Sequence, residues 1–566
     1  MSPHLLARLL PSGPPTPAGR LCDRLSLAGC AGLGLLVLWV FGDYGVTWDE
    51  APHMHYGDLV GRYYISGFQE DGALDFRTNY YYGGGYDALG AVFRVFAAPM
   101  ESTRAMHLLG GLVGVLGVLG TWRLARRLAG PFAGFVAALL LATNPVWFGH
   151  MFNNPKDLPF AVAYVWALDA LIAVIAALPR PTRAQWRGLA LAAGAAMSVR
   201  IAGVLLLCYL GLAIGLYAAH QGHARRSLDA ALAYLWRLGG RALAVVAAAW
   251  ALMLVTWPWA LQDPLRRPFI TLTHMSSYSL HRRKMPFRGE DIWNFDIGWD
   301  YLPTYFAIQL PELVLGAGAL GSAFGVAALL RHGRAHAHLL PALALLTLGV
   351  AIWLPPVYAI VKGSILYDGY RHFLFVVPPL TVLAALTLDH VAARLRRPGR
   401  VVVGVALAAA SLDLALTMHR LHPHEYVYFN RLVGGLAGAQ GRYDTDYYGN
   451  SFKEAFAGLR DHLWRREPET YLDTVYHFRG CISAPTAARY VPPNLRHHKL
   501  RRDGVGPDFH VGYTRNHCDR KYPGAPVIVE VVRDGVQLNR VKDLRGPRGA
   551  AQTPDPLENS DPEAAQ

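Results

Sequence analysis

Long apolar runs separated by short polar connections dominate the chain. They fall near residues 25–43, 105–123, 132–150, 158–178, 187–199, 202–219, 240–259, 306–330, 339–359, 371–390 and 401–418. Stretches of roughly 17–25 apolar residues match the thickness of a bilayer core, so the pattern predicts a mainly α-helical polytopic membrane protein with about eleven transmembrane helices. After Met418 the pattern changes. Asn450 and Ser451 are placed to cap a helix reaching about residue 465, and the Val-rich segments 527–532 and 536–541 flank Asp534-Gly535 as a hairpin would. The expected organisation is a tail over 1–24, a membrane domain over 25–419, a small C-terminal α+β domain over 420–546 and a disordered tail over 547–566.

Hydrophobic residues make up 53% of the 566 and charged ones only 17%, which excludes an ordinary soluble protein. The net charge of +14 would suit a nucleic acid, but its sources lie between the apolar runs. Arg123/Arg126/Arg127, Arg180/Arg183/Arg187, Arg225/Arg226/Arg237/Arg241, Arg331/Arg334 and Arg394/Arg396/Arg397/Arg400 occupy every second connection. That is the signature of cytoplasmic loops, and no nucleic acid is expected as a partner. The N-terminus, with Arg8, Arg20 and Arg24, then also lies in the cytoplasm, and an odd number of spans puts the C-terminal domain outside. A cleaved signal peptide competes for the start of the chain; the length of the first run and the lack of a small-x-small cleavage site favour an uncleaved span. Of five cysteines, Cys481 and Cys518 fall in the outer domain, where a disulfide between them is permitted, and their spacing does not suit a zinc site.

This topology collects polar groups on the outer face. Asp49-Glu50 and His53 follow the first run, Arg77 and Tyr80-Tyr81-Tyr82 share that connection, and Asn153-Asn154-Pro155-Lys156-Asp157 joins the third run to the fourth. Each acidic site has a plain structural reading: Asp49-Glu50 as a solvated helix start, and Asp157 as a first-turn residue behind an Asn turn and Pro155. Two carboxylate sites emerging at one face can also align an acceptor and take its proton. Lys156, Arg200, Lys362, Arg371 and His372 are outward cations suited to a lipid phosphate, with His53, Tyr81, Tyr82 and Lys362 as candidate donor or acceptor contacts. Arg371-His372 also reads as an interfacial anchor, and the aromatic run over 422–430 as a membrane-interface belt. Arg282-Arg283-Lys284 lies in a long outer loop that suits anionic lipid or substrate phosphate. Asp444-Thr445-Asp446 imitates the D-x-D metal-nucleotide pattern, although a turn or helix start explains it better. Neither a metal nor another cofactor is expected.

The acidic doublet in the first outer loop, the short connection carrying Asp157, the basic Arg200 between two spans and the alternating layout resemble the GT-C glycosyltransferases of family 39. Protein O-mannosyltransferases and lipid A aminoarabinose transferases are the nearest types. The resemblance covers residues 25–419. It implies a polyprenyl-phosphate-linked sugar donor and a protein, lipid or glycan acceptor at the periplasmic face of a bacterial inner membrane, among membrane lipids. It matches Asp49 to the residue proposed as catalytic base, Glu50 to its companion, Asp157 to a second acidic position and Arg200 to a basic group near the lipid phosphate. Residues 362–372 and the outer domain do not match these types. Chemistry points the same way: nucleotide sugars are made in the cytoplasm, so a sugar used outside arrives on a lipid, and a single carboxylate base suffices for an inverting displacement. The alternative class is a transporter or flippase of a lipid-linked sugar, which would carry internal repeats or mid-span carboxylates. Asp169, Asp389 and Asp413 are the nearest candidates for the latter.

Overall fold

A computed structural model describes residues 4–11, 13–276, 282–333, 335–498 and 506–546; the tail expected to be disordered, 547–566, lies outside them. Among the described residues, nine helices are long and apolar enough to cross a bilayer: Pro17–Val40, Ser102–Ala129, Asp157–Ala176, Ile201–Arg225, Leu228–Val255, Glu312–Arg331, Leu339–Lys362, Arg371–Arg394 and Arg397–Leu421. A further pair, Pro131–Ala142 and Pro145–Asn153, is bent by 64° and brings the number to ten if it counts as one span, below the eleven expected from the apolar runs. Pro145 cannot donate to the preceding turn, and the Asn144 side chain restarts the helix by accepting from the Trp147 N–H at 3.1 Å. The apolar run over 187–199 forms a shorter helix, Arg183–Met197. The protein is a mainly helical, multi-span membrane protein.

Three helix bounds depart from the hydrophobic pattern. The first span begins at Pro17 rather than near 25, because Thr16 caps it through the Gly19 N–H at 3.1 Å and proline suits the first helical position. The apolar run 306–330 is split ahead of Pro311 into Tyr301–Gln309 and Glu312–His332. The span expected over 240–259 begins at Leu228, behind the Ser227 cap.

The helix Ser102–Ala129 packs against Pro131–Ala142, Pro145–Asn153, Asp157–Ala176 and Pro17–Val40. Its glycines permit the approach. A Cβ on Gly110 would stand 2.4 Å from the Met151 carbonyl oxygen, one on Gly111 2.5 Å from Val37, and one on Gly117 2.4 Å from Trp147. Between helices in lipid, such close contact supplies much of the cohesion that apolar burial supplies in water. Away from this core, Arg126 pairs with Asp23 at 2.7 Å, Arg127 with Asp169 at 2.7 Å and Arg8 with Asp389 at 3.0 Å. Asp413 pairs with Arg431 at 2.5 Å. Every span carboxylate that suited a transport role is thus held by an arginine.

The loop before residue 300 forms a hairpin, β1 (Lys284–Phe287) with β2 (Glu290–Trp293). The C-terminal domain is a five-stranded sheet of β3 (Tyr476–Gly480), β4 (Leu495–His497), β5 (Phe509–Tyr513), β6 (Val527–Arg533) and β7 (Val536–Asp543), in the order β4-β3-β5-β7-β6. β3 runs parallel to β4 and β5, whereas β7 is antiparallel to β5 and β6. Asp534 and Gly535 at the β6–β7 turn both have positive φ, as a tight hairpin of this hand requires. The helix Phe452–Arg466 covers the sheet with Phe452, Phe456, Leu459 and Leu463. Cys481 and Cys518 are joined by a disulfide with Cα atoms 6.3 Å apart.

The aromatic run after the last span does not form an interfacial belt. Residues 423–430 are all buried, because Glu425 accepts from the Tyr44 hydroxyl at 3.0 Å and the Tyr426 hydroxyl donates to Asp446. The run is the joint between bundle and sheet domain. For the packing of the bundle, Gly110→Val is expected to displace the Pro145–Asn153 helix at a cost of about 1–3 kcal/mol. A thermal midpoint of the detergent-solubilised variant equal to wild type would contradict that contact.

Candidate functional site

Three connections converge at the end of the bundle that carries the sheet domain. Asp49 precedes the helix Glu50–Ile65, and its side chain makes no capping bond. Its Oδ2 lies 3.1 Å from Lys156 Nζ and 3.3 Å from Arg371 Nη1. The local turn is held by Glu50 instead. Glu50 Oε2 accepts from the Thr47 N–H at 2.5 Å and the Thr47 hydroxyl at 3.0 Å, and Oε1 faces His107 Nε2 at 2.7 Å. The doublet therefore divides: Glu50 turns back into the protein, while the Asp49 side chain, 24% exposed, faces the site. One helical turn on, His53 Nδ1 pairs with Asp87 at 3.0 Å, and its ring lies 6.1 Å from that of Tyr82.

The second connection is the short one over 153–157. Asn154 Oδ1 accepts from the Asp157 N–H at 2.9 Å and turns the chain into Asp157–Ala176, where a carboxylate suits the positive end of the helix. That structural reading is correct for Asn154 and incomplete for Asp157. Asp157 Oδ2 accepts from Asn154 Nδ2 at 3.0 Å and Arg371 Nη1 at 3.2 Å, and Oδ1 accepts from Arg200. Its side chain is only 2% exposed. Removing one partner of such a buried pair costs about 3–5 kcal/mol, so Asp157 is bound into the structure as well as the site. Lys156 and Arg200 flank the Tyr82 ring at 5.5 and 5.9 Å. Arg200 Nε has no hydrogen-bond partner among the described residues.

The third connection turns at Asp368-Gly369, with φ of 59° and 69°. Glycine is needed there, since a Cβ would also stand 2.4 Å from Gln309 Oε1. The turn returns Asp368 to Arg371, whose Nε donates to Asp368 Oδ2 at 3.0 Å. Arg371, with its side chain 3% exposed, thus bridges Asp49, Asp157 and Asp368 and also contacts the Tyr448 hydroxyl at 3.1 Å. Arg515 at 2.8 Å and Arg283 at 3.6 Å face the other oxygen of Asp368. His372 is half-buried and packs edge-on against Tyr367 at 4.7 Å.

The electrostatics separate these acids. Burial works to raise the Asp49 carboxyl, but the Lys156 ammonium and then the Arg371 guanidinium outweigh it and hold Asp49 well below the usual carboxylate range. Asp444 goes the other way: burial first, then the charge of Asp368, push it up to about 8.

Asp49, Lys156, Asp157, Arg200, Arg371, His372 and Tyr82 therefore gather as the topology suggested. Glu50 and His53 face away into their own pairs. Lys362 is exposed at the end of its helix, and Tyr81 packs on His274 and Trp259 at 4.5 and 5.3 Å. Asp446 has the turn role, accepting from the Gly449 N–H at 2.8 Å and from Ser451. Arg283 faces Asp368, where the sequence suggested lipid or substrate. Asp368, Tyr448 and Arg515 escaped the sequence reading. Asp-Gly three residues before an arginine was a local signal for the first, and nothing local marked the other two.

A family model described as Dolichyl-phosphate-mannose-protein mannosyltransferase matches residues 88–252, the segment that holds Lys156, Asp157 and Arg200. This match agrees with the resemblance seen in the sequence. The structure is similar to that of ArnT from Cupriavidus metallidurans bound to undecaprenyl phosphate, at 16% identity and a TM-score of 0.46 over 91% of this chain and 97% of that one. It is also similar to the archaeal oligosaccharyltransferase AglB from Archaeoglobus fulgidus in complex with an inhibitory peptide and a dolichol-phosphate, at 14% identity and a TM-score of 0.44 over 80% of this chain and 62% of that one. No curated protein matches the sequence.

Asp444 makes stability depend on pH. Between its ordinary value of 3.8 and about 8, the folded chain keeps a proton that the unfolded chain has released. Stability contributed by this group therefore falls as pH rises through that window and levels off above it. Asp444→Asn is expected to flatten the decline and raise the thermal midpoint most near pH 8. Superimposable midpoint-against-pH curves for variant and wild type would refute the assignment.

Proposed function

We propose that the protein is an integral-membrane glycosyltransferase that moves a sugar from a polyprenyl-phosphate carrier to a protein, lipid or glycan acceptor at the outer face. The observation that carries this reading is the sharing of cations between carboxylates. Lys156 and Arg371 meet at Asp49, Arg200 and Arg371 meet at Asp157, and among the described residues Arg200 Nε is without a hydrogen-bond partner. A donor phosphate is a stable anion that needs cations more than it needs a general acid. The family match over 88–252 supports a lipid-phosphate sugar as the donor class.

The donor phosphate competes with Asp49 for Lys156. As Lys156 turns toward it, Asp49 loses part of the attraction that keeps its carboxyl ionised and becomes a better base. The acceptor oxygen then bonds to the anomeric carbon as the bond from that carbon to the phosphate oxygen breaks. The acceptor proton passes to Asp49, and the polyprenyl phosphate leaves with the electron pair, its charge met by Lys156 and Arg200. A single displacement of this kind inverts the anomeric carbon. Asp157 is too buried to meet the acceptor and serves by holding Arg200 and Arg371.

Protein in liposomes, given labelled polyprenyl-phosphate sugar, is expected to attach the label covalently to an acceptor. Movement of label across the bilayer without transfer would replace this reading with transport. Asp49→Asn should lower kcat by roughly 10²–10⁴-fold with no loss of donor affinity, since Lys156 is released; full activity would remove Asp49 from the role of base. Arg200→Ala should weaken donor binding by roughly ten-fold or more. Wild-type donor binding in that variant would remove Arg200 from the phosphate site.

A further inference from the structure

Arg515 belongs to the sheet domain, yet its guanidinium enters the site described above. It follows β5, opens the turn Arg515–Arg520, and has a side chain only 8% exposed. One nitrogen donates to Asp368 Oδ1 at 2.8 Å, and another to the Tyr447 carbonyl. Asp368 Oδ2 is taken by Arg371, from both Nε and Nη2 at 3.0 Å. The division has a geometric consequence. With Oδ1 engaged by Arg515, Asp368 grips one edge of the Arg371 guanidinium, and Nη1 is turned to Asp49, Asp157 and Tyr448.

The turn that carries Arg515 is restrained on every side. Asn516 and His517 hold φ of 51° and 54°, the left-handed region that few non-glycine residues adopt and that Asn and His enter more readily than most. Cys518, three residues past Arg515, is bonded to Cys481 at the end of β3. His517 Nε2 lies 2.8 Å from Asp291 on β2, within the loop between membrane helices. Docking a domain on a bundle does not call for the carboxylate that aims Arg371, and a surface ion pair would dock it with less desolvation.

We propose that Arg515 is a positioning residue supplied by the sheet domain: by holding Asp368 it fixes Arg371 between Asp49 and Asp157, and the disulfide keeps its turn in place. The consequence for turnover rests on the glycosyl-transfer reading, whereas the clamp itself does not. Two readouts keep them apart, namely kinetics of transfer and the rate at which a carbodiimide with an amine nucleophile labels Asp49, followed by peptide mass spectrometry.

In Arg515→Ala, kcat is expected to fall roughly ten- to hundred-fold with the donor KM within about two-fold of wild type, because geometry is lost and the phosphate cations are kept. Asp49 should label several-fold faster, since a loosened Arg371 no longer shields and ionises it. Arg515→Lys, which keeps the charge but not the two-point grip, should show smaller changes in the same directions, and it carries both readouts if the alanine variant does not fold. Unchanged Asp49 labelling in a folded variant overturns the clamp. Faster labelling with no transfer by the wild-type protein upholds the clamp and overturns the functional reading. Reducing the disulfide is expected to lower wild-type kcat and to add nothing in Arg515→Ala; additive losses would sever the bond from the positioning of Arg515.

Discussion

One buried guanidinium organises this end of the molecule. Arg371 meets Asp49, Asp157 and Asp368, two of them from connections distant in sequence, while keeping its own side chain 3% exposed. An unpaired charge at such a depth costs several kcal/mol, so the loops can close over Arg371 only with these carboxylates in place. The carboxylates in turn repel one another unless further cations intervene. Lys156, Arg200, Arg283 and Arg515 do so. Five cations therefore surround three carboxylates, an excess of two positive charges. The protonated state favoured for Asp444, whose carboxyl is pushed up to about 8, preserves that excess near neutral pH. In the proposed reaction the departing phosphate monoester carries more negative charge than the diester donor, and Lys156 and Arg200 are the cations placed to meet it.

The acidic doublet shows how one short motif serves stability and chemistry at once. Adjacent residues at a helix start point in different directions, so Asp49 and Glu50 cannot share a task. Glu50 secures the turn through Thr47 and meets His107, with its side chain 4% exposed. That anchoring is what leaves Asp49 free of capping duty and still fixed in place. The same division recurs at the second connection, where Asn154 makes the turn and Asp157 faces the arginines.

Much of this was legible in the sequence, for definite reasons. Spans follow from apolar run length, and the shared face of Asp49, Asp157, Arg200 and Arg371 follows from alternation of short connections. Run length alone did not show that Pro145 and Pro311 break their runs, because proline inside a membrane span is often tolerated. Lys362 misled for a related reason: a cation at a span end looks the same whether it enters a site or reaches the interface. The run over 422–430 misled because aromatic residues suit both a lipid boundary and a domain joint. Arg515 lies 147 residues from Asp368, and no local periodicity encodes a contact of that kind.

The arrangement also bears on the order of events in the proposed reaction. With Lys156 and Arg371 on it, Asp49 is a very weak base, so a site without donor has little capacity to activate a hydroxyl or a water molecule. The donor phosphate is the group that can draw Lys156 away. Arg371 stays, because Asp157 and Asp368 hold it, and so Asp49 keeps its orientation while its proton affinity rises. Basicity then appears only when the sugar is present to be attacked, which disfavours acceptor activation without a donor. A freely solvated carboxylate could not impose that order, since its basicity would be the same with and without the donor. The cost of burying so many charges at one end of the bundle is thus tied to a property that exposed charges cannot supply.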